Sequence, residues 1–129
     1  MIWLYGLIEK TSTEVAYCIS NWLAANGSPK AIYCDNGGEF HSDLDDLVEN
    51  RSPPIPIIRG RAYYPQTQGT VEVHNREFKK NLSSLRIERG VRGWYNLLPT
   101  LQEVTNTTGS YMLPYHVTPF KVWFSRRPH

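Results

Sequence analysis

The chain has 129 residues, a net charge of +2, 40% apolar residues and 20% charged residues. This length suits one compact domain, and the apolar fraction supports a packed core, which argues against intrinsic disorder. No stretch has the roughly 20 apolar residues of a membrane span, and the start lacks the basic flank and apolar run of a signal peptide. Two cysteines, Cys18 and Cys34, are too few for a disulfide framework, so we expect a reducing compartment and two small core residues.

Charge is distributed unevenly along the chain. Residues 1–50 contain eight acidic and two basic side chains, a net charge of −6, whereas residues 51–129 contain four acidic and twelve basic ones, a net charge of +8. This asymmetry indicates a polyanionic partner for the second half or a metal site in the first. Uneven solvated surfaces would give the same pattern, so charge alone does not separate these interpretations.

Hydrophobic patterning in the first half predicts strands that alternate with helices, which is typical of an α/β domain. The apolar run 2–8 predicts a buried strand. Thr11-Ser-Thr-Glu14 has the pattern of a capping box and predicts a helix that ends at Gly27 and Pro29. Two more short strands are expected at 31–34 and 55–58. Between them Ser42 is suited to cap a short acidic helix whose inward residues are Leu44, Leu47 and Val48.

The second half is predicted to be helical. Residues 60–68 have the composition of a loop, and a long helix is expected from about Gly69 to Arg89, with Gly90 as its stop. Its inward side is predicted to carry Val71, Asn75, Phe78, Leu82 and Leu85. A second helix is expected at 94–105, where Pro99 would kink or split it. Its inward residues are predicted to be Trp94, Leu97, Leu98, Leu101 and Val104. The tail 114–128 has too many prolines for one regular element.

Asp35-Asn-Gly-Gly-Glu-Phe40 places a carboxylate directly after the strand predicted at 31–34. Ligands of open α/β sheets bind at the carboxyl ends of strands, so Asp35 is a candidate functional carboxylate. Taken alone, the same residues are more typical of an ordinary Asp-Asn-Gly turn, in which the aspartate side chain bonds to its own backbone.

A second polar segment runs from Tyr64 to Arg76 and reads Tyr-Pro-Gln-Thr-Gln-Gly-Thr-Val-Glu-Val-His-Asn-Arg. Glu72 is expected in the first turn of the long helix, where the helix dipole stabilises a carboxylate. That effect alone accounts for an acidic residue there. It does not account for the amide-rich loop that leads into the same turn.

Taken in order, the two segments resemble the catalytic core of retroviral and retrotransposon integrases. Further segments resemble the same family, as found in Ty3/gypsy-like elements and genes derived from them: Glu9-Lys-Thr with Glu14-Val-Ala16, Trp94 with Leu98-Pro99, Asn106-Thr-Thr108 and Thr118-Pro119-Phe120. The resemblance covers nearly the whole chain. It implies a ribonuclease-H-like α/β fold, a mixed sheet flanked by helices, in a single domain over 1–129.

The resemblance also implies a site of three carboxylates that holds two divalent metal ions, Mg²⁺ or Mn²⁺. Asp35 would be the second carboxylate and Glu72 the third, both as catalytic residues and as metal ligands. In-line attack on a phosphodiester fits such a site, because one ion serves the nucleophile and the other serves the leaving oxygen. The 36 residues between Asp35 and Glu72 are about one more than is usual in the family.

Two features depart from the family pattern. The first metal carboxylate of the family lies on its first strand, upstream of every segment matched here. We therefore expect an N-terminally truncated core that lacks the first two strands and that aspartate, with its activity in question. The position after Glu72, usually basic in the family, is Val73.

Basic and amide side chains around Glu72 are candidate DNA contacts. Lysines and arginines that neutralise phosphates release condensed counterions and make binding sensitive to salt, and glutamines contact sugar and phosphate without reading sequence. An exposed basic helix face that only keeps the chain soluble is the alternative. The predicted DNA-binding residues are Arg59, Arg61, Gln66, Gln68, Arg76, Lys79 and Lys80.

The function that follows from the resemblance is DNA integration: metal-dependent nicking of DNA ends and strand transfer, in the nucleus of a eukaryotic host. DNA is the expected partner, with a homo-oligomer as a further one, and no membrane is expected. The alternative is a catalytically dead, transposon-derived module that binds DNA or another protein.

Overall fold

The computed structural model describes residues 1–60, 65–90, 93–109 and 114–128, without the side chains of 65–72, 74 and 114. Two compact units are present. The first, Leu7–Thr70, is called the N-terminal unit, and the second, Met1–Gly6 with Val71–His129, the C-terminal unit. Helices and strands are both present, as predicted for an α/β chain. A single domain over 1–129 stays a prediction.

No helix in the described ranges combines the length and the apolar character needed to cross a bilayer.

Helix α1, Ser12–Asn26, begins and ends where the sequence predicts. The Thr11 hydroxyl accepts a hydrogen bond from the Glu14 backbone N–H at 3.3 Å, and Gly27 ends the helix with φ of 83°. The predicted capping box is not closed, because the Glu14 carboxylate accepts from the backbone N–H groups of Ile8 and Glu9 instead. Glu14 therefore holds the chain that enters the helix.

The sheet of the described residues has two parallel strands, β1 (Ile32–Cys34) and β2 (Ile57–Arg59). Their register pairs Cys34 with Arg59. The strand predicted at 55–58 begins two residues later, because Pro56 has no N–H to donate to a ladder. Its carbonyl accepts from the Ile32 N–H at 2.9 Å, and Ile55 is buried in the core instead.

Helix α2, Asp43–Glu49, completes the core of the N-terminal unit. The buried residues of this core are Leu23, Leu44, Val48 and Ile55. The prediction that Ser42 caps the helix is wrong, because Ser42 has φ of 54° and makes no capping hydrogen bond. The first-turn carboxylate of Asp43 instead accepts from the hydroxyls of Ser12 and Thr13, at 3.0 and 2.6 Å, and joins α2 to the start of α1.

The buried strand predicted at 2–8 is not formed. Side-chain amides of the C-terminal unit take the place of a neighbouring strand. The Asn106 amide accepts from the Ile2 N–H and donates to the Ile2 carbonyl, at 2.8 and 2.7 Å, and Gln102 accepts from the Leu4 N–H at 2.7 Å. Asn106 is 2% exposed, so a polar side chain fills a core position here.

Helix α3, Pro65–Arg89, is longer than predicted. The sequence favoured a loop as far as residue 68, but proline suits a helix start, because the first N–H groups of a helix have no internal partner. Gly90 follows the helix with φ of 60°, the left-handed conformation usual for a glycine that ends a helix. Phe78, Leu82 and Leu85 are half-buried along one side, whereas Asn75, predicted inward, is exposed.

Pro99 splits the second predicted helix into a 3₁₀ turn, Trp94–Leu97, and helix α4, Leu98–Thr107. Leu97, Leu98 and Leu101 are buried as predicted. Trp94 and Val104 were also predicted inward, but they are exposed. The tail forms a further 3₁₀ turn, Pro114–His116, and a short helix α5, Pro119–Phe124.

Cys18 and Cys34 are half-buried free thiols. Burial raises the pKa of both, so they stay protonated at neutral pH. Their position agrees with the predicted role as small residues at the edge of the core.

Replacement of Asn106 with alanine is expected to lower the free energy of unfolding by about 1–3 kcal/mol, because it removes two hydrogen bonds to the Ile2 backbone at a buried position. Urea denaturation measures the change. Gln102→Ala, which removes one hydrogen bond, is the matched control and should destabilise the chain less. Equal stability of the two variants would contradict this role.

The hydrogen bonds of Asp43 are expected to make the stability of the fold sensitive to acid. The Thr13 and Ser12 hydroxyls lower the pKa of its carboxyl below the ordinary value of 3.8. Its stabilising contribution is present above that ordinary pKa and is lost as the pH falls through the lowered one. Asp43→Asn should therefore be less stable than the parent at neutral pH, with the difference shrinking in strong acid. Unfolding curves across this range test it, with Asp46→Asn from the same turn as control.

Candidate functional site

The Asp35 carboxylate follows the last residue of β1 directly and is exposed. Its Oδ1 accepts a hydrogen bond from the Gly37 backbone N–H at 2.9 Å. The Asp-Asn-Gly turn that the sequence offered as the alternative is therefore present. A carboxylate has about four acceptor positions, and this bond occupies one of them. The turn therefore orients the carboxylate and leaves it able to bind a ligand from solvent.

Residues 59 and 60, at the end of β2, hold both ends of the segment that follows Asp35. Asn36 Nδ2 donates to the Gly60 carbonyl at 2.9 Å, and the Gly60 N–H donates to the Cys34 carbonyl at 2.8 Å. At the far end, Arg59 Nη2 donates to the Phe40 carbonyl at 2.6 Å. The Phe40 ring packs against the core of the N-terminal unit.

The guanidinium of Arg59 also forms an ion pair with Asp45 of α2. The two side chains are 25% and 32% exposed, so the pair is partly removed from water. His41 Nδ1 lies 4.0 Å from the other oxygen of Asp45. Arg59 was predicted to contact DNA. The structure gives its Nη2 two partners inside the N-terminal unit, and the DNA contact stays a prediction.

A second ion pair holds the middle of the same segment. Lys10 Nζ lies 2.8 Å from Glu39 Oε1, and the Glu39 side chain is 11% exposed. The hydrogen bond from Lys10 lowers the pKa of the Glu39 carboxyl. The carboxylate lies so close to Gly37 that a Cβ there would be 2.6 Å from Glu39 Oε2. A side chain at position 37 would therefore displace the Glu39 carboxylate, the end of a flexible side chain, from its present position beside Lys10.

Three of the predicted DNA-binding residues are exposed on α3. Lys79 and Lys80 lie three and four residues after Arg76, the spacing at which side chains share one face of a helix. Position 72 lies one turn before Arg76 on the same helix. These three residues form a basic face of α3 that begins one turn after the backbone of Glu72.

The remaining predicted residues lie outside what the structure describes. Arg61 falls between the described ranges, and the side chains of Gln66, Gln68 and Glu72 are not described. Asp35 belongs to the N-terminal unit and residue 72 to the C-terminal unit. Among the described residues no three His, Cys, Asp or Glu side chains form a group that could hold a metal ion. The shared site of Asp35 and Glu72 therefore stays a prediction.

Lys10, Glu39 and Asp45 have structural roles around Asp35 that the sequence analysis did not assign. Lys10 and Glu39 occur in segments matched to the integrase family, but their pairing joins positions 29 residues apart. Spacing along a helix or strand cannot indicate such a contact. The available signal was that two segments matched to the same family carry side chains of opposite charge.

Comparisons of sequence find retroviral polyproteins. The chain is 32% identical over 124 residues to the Pro-Pol polyprotein of Simian foamy virus type 3 (strain LK3), covering 95% of this chain and 10% of the polyprotein. It is 31% identical over 130 residues to the Gag-Pol polyprotein of Woolly monkey sarcoma virus, covering 98% of this chain and 7% of the polyprotein. The chain thus spans a tenth or less of these relatives. No family model matches it.

Comparisons of structure find retroviral integrases. The catalytic core domain of BIV integrase superposes with a TM-score of 0.71 at 24% identity, over 92% of this chain and 74% of that one. The simian T-cell lymphotropic virus intasome in complex with PP2A regulatory subunit B56 gamma gives a TM-score of 0.75 at 22% identity, over 94% of this chain and 43% of that one. The HTLV-2 integrase catalytic core in complex with magnesium, in a trimeric form, gives 0.69 at 20% identity, over 88% and 70%. The ribonuclease-H-like α/β fold expected from the sequence is confirmed.

Arg59→Ala is expected to lower the free energy of unfolding by about 1.5–3 kcal/mol, because it removes hydrogen bonds between a charged donor and two acceptors. Arg59→Lys should recover only part of this stability. It keeps the positive charge, but its single ammonium group lacks the planar fork of donors of the guanidinium. Thermal or urea unfolding measures both, with Lys30→Ala, an exposed basic residue of the same unit, as control. An Arg59→Ala variant as stable as the control would disprove this structural role.

Proposed function

The chain belongs with the integrase catalytic core domains of retroviruses and related retrotransposons, and from that premise we propose that it acts in DNA integration. The proposed reaction is hydrolytic nicking of a DNA end, followed by attack of the freed 3′ hydroxyl on target DNA. The observation that carries it is the Asp35 carboxylate, exposed at the carboxyl end of a parallel strand on a turn held from three sides.

We propose that Asp35 and Glu72 bind Mg²⁺ or Mn²⁺. These ions favour carboxylate oxygens, and Asp35 offers an exposed carboxylate that one backbone N–H already orients. Bound there, the ions would stabilise charge on the attacking and leaving oxygens of a phosphodiester. A magnesium complex is described for the HTLV-2 core, which has the same fold.

The family pattern adds a further carboxylate upstream of Asp35. Glu14 is a poor substitute for it, because its Oε2 already accepts from the Ile8 and Glu9 backbone N–H groups, at 2.8 and 3.1 Å. A ligand that must also serve two backbone donors has less capacity for a cation. We therefore propose that Asp35 and Glu72 are part of the metal site rather than all of it.

The basic face of α3 is the proposed DNA contact. Arg76, Lys79 and Lys80 are exposed and follow position 72 within about two turns, so phosphates bound to them would lie along the helix beside Glu72. We extend the proposal to Arg61, Gln66 and Gln68, which precede Glu72 in the chain. Arg59 is the weakest member of the predicted set, because its guanidinium is already bonded to Asp45 and Phe40.

The assembly and cellular site are further parts of the proposal. The related structures are described as an intasome and as a trimeric form. We propose that this chain likewise forms a homo-oligomer on DNA. Integration into chromosomal DNA would take place in the nucleus of a eukaryotic host.

Two substitutions test the metal site. Asp35→Asn and Glu72→Gln should weaken Mn²⁺ binding in calorimetry and abolish any metal-dependent nicking of labelled DNA ends, because each removes an anionic ligand. Glu88→Gln, an exposed acid on the same helix as Glu72, is the control and should change neither. Nicking or Mn²⁺ binding that survives both substitutions would overturn the assignment.

The same assays separate the enzyme from its alternative. A catalytically dead DNA-binding module would bind DNA in a salt-dependent way without metal-dependent nicking. Lys79→Ala should then still weaken duplex binding and reduce the slope of log K against log salt by about one. Binding without salt dependence would exclude a phosphate-contacting face on α3.

A further inference from the structure

The C-terminal end of the chain is basic and contains no acidic residue. Between residues 104 and 129 the sequence has Lys121, Arg126 and Arg127 and no aspartate or glutamate. An unopposed cluster of cations raises the local concentration of anionic ligands and speeds their binding. None of these residues belongs to the predicted metal site or to the basic face of α3.

Two of these cations line one open cleft of about 630 Å³. Volumes of roughly 300–1,000 Å³ are usual for small-molecule sites, so the space suits one or a few nucleotides better than a protein domain. The cleft is lined by Tyr115, His116, Val117, Thr118, Lys121, Arg127 and Pro128. Its cations come from α5 and from the residues that follow it.

The start of α5 gives one wall of the cleft a defined shape. The Thr118 hydroxyl accepts from the Lys121 N–H at 3.1 Å, and Pro119 begins the helix. Arg126 is held against the rings of Phe120 and Phe124, 5.0 and 5.9 Å from their centres. Lys121 and Arg127 are therefore the exposed cations of the cleft, while Arg126 packs on aromatic rings.

The cleft is also lined by an exposed aromatic residue, Tyr115. Tyr115 is 98% exposed, and Tyr115 and His116 both have left-handed backbone conformations, with φ of 57° and 50°. Such conformations are uncommon for residues other than glycine. They persist where the surrounding structure enforces them, and they are found often at ligand-binding sites. The His116 carbonyl packs against Gly109, where a Cβ would lie 2.6 Å from its oxygen.

We propose that this cleft binds a short single-stranded segment of nucleic acid, with its phosphates on Lys121 and Arg127 and a base stacked on Tyr115. A basic groove combined with an exposed aromatic ring is the arrangement by which proteins hold unpaired strands. Duplex DNA fits less well, because its bases are stacked on one another and offer no open face to the tyrosine ring. The proposal needs neither a metal ion nor the carboxylates of Asp35 and Glu72.

Binding of the full chain to a short fluorescein-labelled oligothymidylate, measured by anisotropy in EDTA, tests the cations. Lys121→Glu and Arg127→Glu should weaken binding about tenfold or more and lower the slope of log K against log salt by about 0.7 for each phosphate that is no longer neutralised. Lys30→Glu changes the net charge equally at an exposed position of the other unit. It should have a much smaller effect.

Tyr115 is tested by a conservative pair of substitutions. Tyr115→Ala should weaken binding of the single strand about tenfold, in line with measured base–aromatic stacking, whereas Tyr115→Phe keeps the ring and should bind like the parent. The ring packs against almost nothing, so its removal is not expected to unfold the chain. Tyr17→Ala, an exposed tyrosine of α1, is the control, and circular dichroism checks the fold of each variant.

Three results would overturn the proposal. The first is an equal decrease in affinity in Lys30→Glu and Lys121→Glu, and the second is an unchanged affinity in Tyr115→Ala. The third is that polyglutamate competes for the chain as strongly as unlabelled oligothymidylate does when the two are added at equal charge. That result would indicate an acidic protein partner. The assay contains EDTA and needs no divalent metal ion, so failure of the proposed metal site leaves this test intact.

Discussion

The guanidinium of Arg59 joins the elements on which the position of Asp35 depends. The parallel register puts Arg59 beside Cys34, the residue before Asp35. From there its side chain reaches the Phe40 carbonyl at the end of the Asp35 segment and the Asp45 carboxylate on α2. One planar group thus links a strand, a turn and a helix. The geometry of the carboxylate follows from these bonds as much as from the strand that precedes it.

The C-terminal unit uses an amide in a comparable way. Asn106 both accepts from and donates to the backbone of Ile2, so its side chain acts towards that residue as a peptide group of a neighbouring strand would. The apolar segment at the start of the chain is therefore held by α4. Packing of Trp3 edge-on against Trp123, with ring centres 5.1 Å apart, adds an attachment to α5. Together these contacts replace the ladder that the apolar run predicted.

The uneven charge acquires a physical meaning from these contacts. Several acids of the first fifty residues have structural partners, since Glu14 binds backbone amides, Glu39 binds Lys10, and Asp43 binds two hydroxyls. Much of the negative charge therefore stabilises the N-terminal unit, and Asp35 stands out as an oriented, exposed carboxylate. The positive charge of the second half is placed differently. Exposed cations of α3 and of the C-terminal cleft carry part of it, where it is available to a polyanion.

The sequence alone determined features that depend on local physics. Helix α1 with its Thr11 cap and Gly27 stop, the break at Pro99, the short strand before Asp35 and the family resemblance could all be predicted, because each depends on neighbouring residues or on an ordered motif. What the tertiary structure decided involves partners far apart in the chain. The pairing of Lys10 with Glu39, the role of Arg59 and the burial of Asn106 leave no periodic signal. The prediction of a strand at 2–8 was wrong for the same reason. An apolar composition gives a segment the propensity for a strand, but a strand also needs a neighbouring backbone to bond with, and that partner is distant in the sequence.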